Sequence, residues 1–125
     1  MITQDSFVKL SPDDLEIYVS GYRKHLIRKT DYLIEIGIDI KEVQECFRIV
    51  TRYKMFKAID KVLSTKFKNL KFPQLPPKQD LLNQNKEETR LKYLRELLRK
   101  YLDYARNHRE LKPQLYAVLY NFLFK

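Results

Sequence analysis

Residues 52–78 read RYKMFKAIDKVLSTKFKNLKFPQLPPK and contain an arginine–tyrosine pair, an amphipathic repeat and a proline-rich run. The apolar side chains of the repeat lie three or four residues apart, at Phe56, Ile59, Leu63 and Phe67. This spacing predicts a helix that packs on the protein through its aromatic face and exposes the lysines on its opposite face. The prolines that follow end the helix and stiffen the loop, so we expect Lys78 to hold a fixed position.

Three stretches before this helix have the residue pattern of strands. Apolar and polar side chains alternate over residues 15–19, as in a half-buried strand. Residues 31–36 form the second predicted strand, with a turn expected at Gly37 and Asp39, and residues 43–51 form the third. Because the links between these strands are short, the simplest arrangement is an antiparallel meander.

Two more helices are predicted after the proline-rich loop. The apolar positions of the first are again three or four residues apart: Leu91, Leu94, Leu98, Tyr101 and Ala105. Pro113 suits the first turn of the last helix, which is apolar nearly all round and needs cover on more than one side. We expect a protein partner to supply part of that cover, through contacts with Leu115, Leu119, Phe122 and Leu123.

The order of these elements predicts an α+β fold. In it, a three-stranded antiparallel sheet packs against a helical subdomain of three to four helices with a proline-rich loop. A chain of 125 residues has the size of one domain, and we expect a polar lead at residues 1–13 before a domain at residues 14–125. The single cysteine, Cys46, excludes an internal disulfide, fits a reducing compartment and is predicted to be buried in the third strand.

Positive charge is concentrated in the second part of the chain. The net charge is +9, but residues 1–50 hold seven Lys/Arg against nine Asp/Glu, whereas residues 51–125 hold 18 against seven. This asymmetry indicates an anionic partner, for which nucleic acid and an anionic membrane surface both qualify. The sequence has no helix-turn-helix, zinc-binding or RNA-platform signature, so we do not expect nucleic acid.

The residue types that carry catalysis are not grouped in this sequence. His25 and His108 lie far apart and have no companions for a metal site or a catalytic triad, and there is no glycine-rich phosphate loop. We therefore expect no enzyme activity, no catalytic residue, no metal and no cofactor. No apolar run reaches the roughly 20 residues needed to span a bilayer, and the first residues lack the pattern of a signal or transit peptide.

Two short motifs flank the first predicted helix. Arg-Tyr-x-x-Phe lies at the junction of the third strand and this helix, at residues 52–56, and Pro-x-x-Pro-x-Lys follows the helix at residues 73–78. In this order, with one helix between them, the motifs resemble those of the phox-homology (PX) domain, a phosphoinositide-binding module. The resemblance runs from about residue 14 to the C-terminus, is that of a single-domain PX protein, and implies the same α+β arrangement.

The resemblance implies that four side chains bind a lipid head group. Arg52 would hold the 3-phosphate of the inositol ring, and Tyr53 would present its face to that ring. Lys78 would meet the 1-phosphate, and Arg90, from the helix after the loop, would bind ring hydroxyls. Three other residues of that helix are also basic, which a charged helix face alone would explain: Lys92, Arg95 and Arg99.

The resemblance also implies membrane contact through Leu81 and Leu82, which would dip into the bilayer; the alternative is that they pack on the core. Thr51 stands where many members have a further basic residue, which favours a head group with a single 3-phosphate. We therefore expect a cytoplasmic module that binds phosphatidylinositol 3-phosphate, peripherally on endosome-type membranes. The alternative is a PX-like accessory subunit of a larger assembly on an organelle membrane, such as the mitochondrial inner membrane, with its lipid pocket unused.

Overall fold

Three strands and a set of helices follow one another along the chain. The computed structural model describes residues 2–27, 29–40, 43–77 and 86–125. Its elements are α1 (Gln4–Val8), a 3-10 helix (Pro12–Asp14), β1 (Leu15–Arg23), β2 (Asp31–Ile40), β3 (Val43–Thr51), α2 (Tyr53–Lys66), α3 (Lys86–Asn107) and α4 (Lys112–Phe124). The predicted α+β class, with a three-stranded antiparallel sheet and helices packed on it, is confirmed. Over these residues no helix is both long and apolar enough to cross a membrane.

The sheet is a meander in which β2 lies between β1 and β3, and both pairs are antiparallel. The turn predicted at Gly37 and Asp39 was wrong, because β2 continues through both residues to Ile40. Gly37 pairs with Glu16 on one side and with Cys46 on the other. Pairing with two neighbouring strands therefore outweighed the turn preference of this glycine.

The sheet buries one face and exposes the other, as antiparallel sheets commonly do. The inner face contributes six side chains to the core: Leu15, Val19, Tyr32, Ile34, Ile36 and Ile38. On the outer face, Arg48 Nη2 donates to Glu35 Oε1 at 3.0 Å. Cys46 is exposed, so the prediction that it is buried was wrong. It lies two residues from Arg48, and the alternation of a strand places both on the outer face.

The helices cover the inner face of the sheet with the apolar stripes that the sequence predicted. The stripe of α2 is buried, and Phe67 just after the helix continues it: Phe56, Ile59, Leu63 and Phe67. The stripe of α3 is buried in the same way: Leu91, Leu94, Leu98, Tyr101 and Ala105. The 3.6-residue period of these two helices was therefore sufficient to identify their buried faces.

The N-terminal segment supplies cover for α4. Phe7 of α1 is fully buried, and its ring stacks on that of Tyr116 with 5.3 Å between centroids. A second contact ties the segment down, because Tyr120 Oη donates to the carbonyl oxygen of Ile2 at 2.9 Å. We call this packing of Ile2 and Phe7 against Tyr116 and Tyr120 the aromatic corner.

The α4 side chains that were expected to contact a protein partner lie in the chain's own core: Leu115, Leu119, Phe122 and Leu123. The most exposed of them, Phe122, has only 7% of its surface accessible. The apolar surface of α4 is therefore covered by other parts of the same chain, and these residues do not support the predicted partner. The domain boundary at residue 14 stays a prediction, although the lead before it contains α1 and buries Phe7.

Helix α3 is fixed to the sheet at an irregularity of β1. The pairing register between β1 and β2 shifts between Val19 and Gly21. Arg95 of α3 donates from Nε and Nη2 to the carbonyl oxygen of Val19, at 3.1 and 3.0 Å. This contact holds α3 along β1 and places the first turn of α3 beside the connection between β1 and β2.

Candidate functional site

A cavity of about 410 Å³ lies between the β1–β2 connection and the first turns of α2 and α3. Ten residues line it: Lys24, His25, Lys29, Thr30, Tyr53, Lys54, Lys57, Lys86, Glu87 and Arg90. Six of these side chains are Lys or Arg and one is a carboxylate, so the cavity is strongly positive. The N-terminal ends of two helices meet there and add partial positive charge through their helix dipoles. This combination suits a ligand that carries phosphate.

Two other depressions have a different chemistry. A groove of about 240 Å³ between α2 and α4 is lined mainly by apolar side chains. A larger depression of about 730 Å³ lies under the proline-rich loop and includes Asp60, whose pKa is raised by burial. Lys68 and Lys71 also line this depression, but two lysines beside an acid make it much less positive than the basic cavity. The basic cavity is therefore the candidate site.

Tyr53 ties three elements together at the cavity. Its hydroxyl donates to the carbonyl oxygen of Pro76 at 2.6 Å, which fixes the proline-rich loop to the start of α2. Its ring packs edge-on against Phe56, with 6.0 Å between centroids. The guanidinium of Arg90 lies 3.7 Å from the ring centroid, a cation–π contact worth on the order of 0.5–2 kcal/mol. Tyr53 therefore joins α2, the loop and α3.

Arg90 and Lys86 are the basic residues of α3 that line the cavity, and Arg90 is the one in contact with Tyr53. Arg90 also approaches the hydroxyl of Tyr32: burial raises the pKa of Tyr32, and the charge of Arg90 opposes that rise. Two of its basic neighbours are engaged elsewhere, since Arg95 binds the backbone of β1 and Arg99 pairs with acidic residues of its own helix. Arg95 therefore has a structural role in α3, whereas Arg90 lies at the site.

Arg52 is held at the start of α2 by a buried acid. Its Nε donates to Asp31 Oδ1 at 3.0 Å, and Asp31 Oδ2 lies 2.8 Å from His25 Nε2. Asp31 is 6% exposed, whereas the side chain of Arg52 is 40% exposed. The hydrogen bonds from His25 and Arg52 hold the pKa of Asp31 below its usual range, so this acid is a carboxylate at neutral pH. The bond to Asp31 occupies one of the five N–H donors of the guanidinium.

The structure places two of the predicted site residues at the cavity and a third, Arg52, next to it. Tyr53 and Arg90 are in contact and both line the cavity. Arg52 borders a neighbouring depression, and it is linked to the cavity through Asp31 and His25. Because Arg90 covers one face of the Tyr53 ring, a sugar stacked on that face would have to displace the guanidinium.

Three predicted residues fall outside the described part of the chain: Lys78, Leu81 and Leu82. The described chain stops at Pro77, directly after the carbonyl that Tyr53 holds. Their predicted roles stay predictions. Within the described ranges, no group of three His, Cys, Asp or Glu side chains could hold a metal ion.

Sequence reasoning missed the contribution of the β1–β2 connection. The sequence predicted no role at the site for Lys24, His25 and Lys29, and it predicted Asp31 only as the start of a strand. The sequence alone does not give the register of the meander, in which Tyr32 pairs with Thr51. That register sets the residue before Tyr32 opposite the residue after Thr51, and those residues are the acid and the arginine of the ion pair.

Comparison with known proteins agrees with this geometry. The model of the PX domain family matches residues 40–124, about two thirds of the chain, and the match includes α2, the proline-rich loop and α3. A search of curated proteins finds no match. PX domains are phosphoinositide-binding modules, generally without catalytic activity, that bring proteins to the surface of membranes. From its motifs, its fold and this match, we conclude that the chain belongs to the PX domain family.

Proposed function

We propose that this protein binds phosphatidylinositol 3-phosphate, without catalysis, on the cytoplasmic face of endosome-type membranes. The observation that carries the proposal is the basic cavity at the starts of α2 and α3, in which Arg90 and Tyr53 are in contact. The head group of this lipid has two phosphates, one on the ring and one joined to the lipid. A cavity with six Lys or Arg side chains supplies cations for both.

Arg52 is the proposed ligand of the ring phosphate. A guanidinium binds phosphate oxygens in a bidentate geometry, and its bond to Asp31 limits its orientations before the lipid arrives. Lys78 is proposed to bind the 1-phosphate, with support from the anchor at Pro76 two residues earlier. Arg90, which lines the cavity beside Tyr53, is proposed to bind ring hydroxyls.

Glu87 supports a head group with one ring phosphate. This carboxylate lines the cavity, is 6% exposed, and has Lys24 Nζ at 3.9 Å from its Oε1. A buried carboxylate accepts hydrogen bonds from ring hydroxyls but repels a second phosphate on its side of the ring. The absence of a basic side chain at Thr51 favours the same choice.

Three contributions would act together at the membrane. The cavity provides specificity, and lysines near an anionic leaflet add about 1 kcal/mol each. Leu81 and Leu82 are proposed to insert, and each would contribute at most roughly 1.5–3 kcal/mol if fully buried. After the costs of ordering and association, we expect micromolar affinity, about −8 kcal/mol.

Co-sedimentation with vesicles tests the proposal. The vesicles would contain phosphatidylcholine and phosphatidylserine, either alone or with one phosphoinositide: the 3-phosphate, the 4-phosphate or the 3,5-bisphosphate. We expect the 3-phosphate to be preferred, and Arg52→Ala to weaken that binding about tenfold or more, since charge-assisted hydrogen bonds are worth about 1.5–3 kcal/mol. Arg99→Ala is the matched control, because Arg99 is paired on the exposed face of α3. Equal binding of the wild type to all vesicles would refute the proposal.

A further inference from the structure

Two adjacent apolar side chains stand in solvent at the tip of the β1–β2 connection. Leu26 and Ile27 are fully exposed, and they are the most exposed large hydrophobic residues in the part of the chain that the structure describes. Single exposed apolar residues are ordinary on protein surfaces. Two neighbours that are both completely exposed, in a chain that buries its other apolar stripes, indicate a surface that another phase or molecule covers.

The position of this apolar tip ties it to the candidate site. Lys24 and His25 precede it and Lys29 follows it, and all three line the basic cavity. His25 is held at its base by the hydrogen bond to Asp31, which also holds Arg52. Leu26 and Ile27 therefore lie at the rim of the cavity, on a loop whose base is fixed by the residues of the site.

The surroundings of the tip decide what kind of surface covers it. Lysines flank the two apolar residues in sequence, and Lys54, Lys57 and Lys86 line the adjacent cavity. Apolar side chains that project beyond a ring of lysines match an anionic bilayer, because the lysines reach the phosphate level while the apolar groups enter the acyl chains. An apolar patch on a protein would leave this positive charge without a counterpart.

We propose that Leu26 and Ile27 insert into the bilayer beside the head group that the cavity binds. The proposal rests on the function proposed above, and it adds a membrane anchor on the β1–β2 connection. It also sets the orientation of the domain. The β1–β2 end of the sheet faces the membrane, and the β2–β3 end, where Val43 is exposed, lies about 30 Å away along the ten residues of β2.

Tryptophan fluorescence tests the insertion directly, because the chain has no tryptophan of its own. Leu26→Trp places one reporter on the tip, and Val43→Trp places a matched reporter at the far end of the sheet. On vesicles that contain phosphatidylinositol 3-phosphate, we expect the emission of the Leu26→Trp variant to shift to shorter wavelength and to be quenched by brominated lipid. The Val43→Trp variant should show neither change.

A second pair of variants measures what the tip contributes to affinity. The double substitution Leu26→Ser and Ile27→Ser should weaken vesicle binding by about tenfold or more. It should leave binding of the soluble head group, inositol 1,3-bisphosphate, unchanged. Val43→Ser is the control, since it removes an exposed apolar side chain from the other end of the sheet.

The outcomes separate this inference from the proposed function. If the protein sediments with the vesicles but the tip reporter stays in water, or the serine variant binds as the wild type does, insertion is refuted and lipid recognition stands. If the wild type binds neither the vesicles nor the soluble head group, the proposed function fails and the insertion proposal fails with it.

Discussion

The aromatic corner and the basic cavity lie in different parts of the protein and are built on opposite principles. In the corner, the rings of Phe7 and Tyr116 are stacked and both side chains are fully buried. At the cavity, lysines remain exposed, a carboxylate is buried, and two apolar side chains stand in solvent. The corner lowers the free energy of the folded state. At the cavity, the buried carboxylate would be more stable in water, and the exposed apolar side chains would be more stable in the core. Such local violations are typical of functional sites.

The largest effect should come from the corner. Phe7→Ala removes a fully buried ring that contacts Tyr116, and substitutions of this kind cost about 3–5 kcal/mol. Denaturant unfolding should show this loss, while head-group affinity, measured where the variant is still folded, should be unchanged. Val43→Ala is the exposed control. A Phe7→Ala variant with wild-type stability would show that α1 does not stabilise the fold.

Substitutions of two arginines in α3 should come next in size, one of them weakening head-group binding and the other lowering stability. Arg90→Ala removes the cation over Tyr53 and should weaken head-group binding about tenfold or more. Arg95→Ala leaves the Val19 carbonyl oxygen without this donor and should lower stability by about 1–3 kcal/mol with little change in affinity. Calorimetric titration and thermal unfolding of both variants measure this split. The reverse assignment would contradict the comparison between cavity and scaffold.

A smaller effect is expected on specificity. Glu87→Gln removes the negative charge of the cavity wall but keeps a side chain of similar shape and hydrogen-bonding capacity. Binding of a 3,5-bisphosphate lipid should improve severalfold relative to the 3-phosphate lipid. Vesicle titrations with both lipids give this ratio, with Glu88→Gln on the same helix turn as the control. An unchanged ratio would exclude Glu87 from the choice of head group.

The smallest effect should appear in the pH dependence of stability. The folded-state pKa of Asp31 is lowered by its hydrogen bonds, so the unfolded chain binds this proton more readily than the folded one. The stabilisation is therefore complete above the unfolded value of about 3.9 and is lost as the pH falls through the folded value. Asp31→Asn should be less stable than the wild type at pH 6, and the difference should shrink below about pH 4. A difference that stays constant down to pH 2 would contradict this account.

The sequence predicted well those parts of the fold that depend on local periodicity. The buried stripes of α2 and α3 follow directly from the spacing of Phe56, Ile59 and Leu63 and of Leu91, Leu94 and Leu98. These patterns are reliable because a helix brings residues three and four apart onto one face without help from the rest of the chain.

The aromatic corner was not predictable in this way. Phe7 is one aromatic side chain in a polar segment, and its partner Tyr116 lies near the other end of the sequence. No local period connects the two residues, so the apolar surplus of α4 suggested a second protein. The missing cover came from the start of the same chain.

The candidate site was predictable where motifs mark it and not where loops form it. Tyr53 was predicted from a motif and Arg90 from the family resemblance, and the structure places them in contact. His25 and Asp31 enter through the β1–β2 connection, whose distance from α2 depends on the register of the sheet. Whether Leu26 is exposed depends on how the rest of the chain packs around it, and a short stretch of sequence does not show that packing.

The most direct test of the central claim is a titration of the isotope-labelled protein with inositol 1,3-bisphosphate, followed by the backbone amide signals in NMR spectra. The account predicts saturable shifts at Thr30, Tyr53 and Arg90 around the cavity, with the signals of Phe7 and Tyr116 in the aromatic corner unchanged. No saturable shift at millimolar head group, or shifts confined to residues away from the cavity, would contradict it.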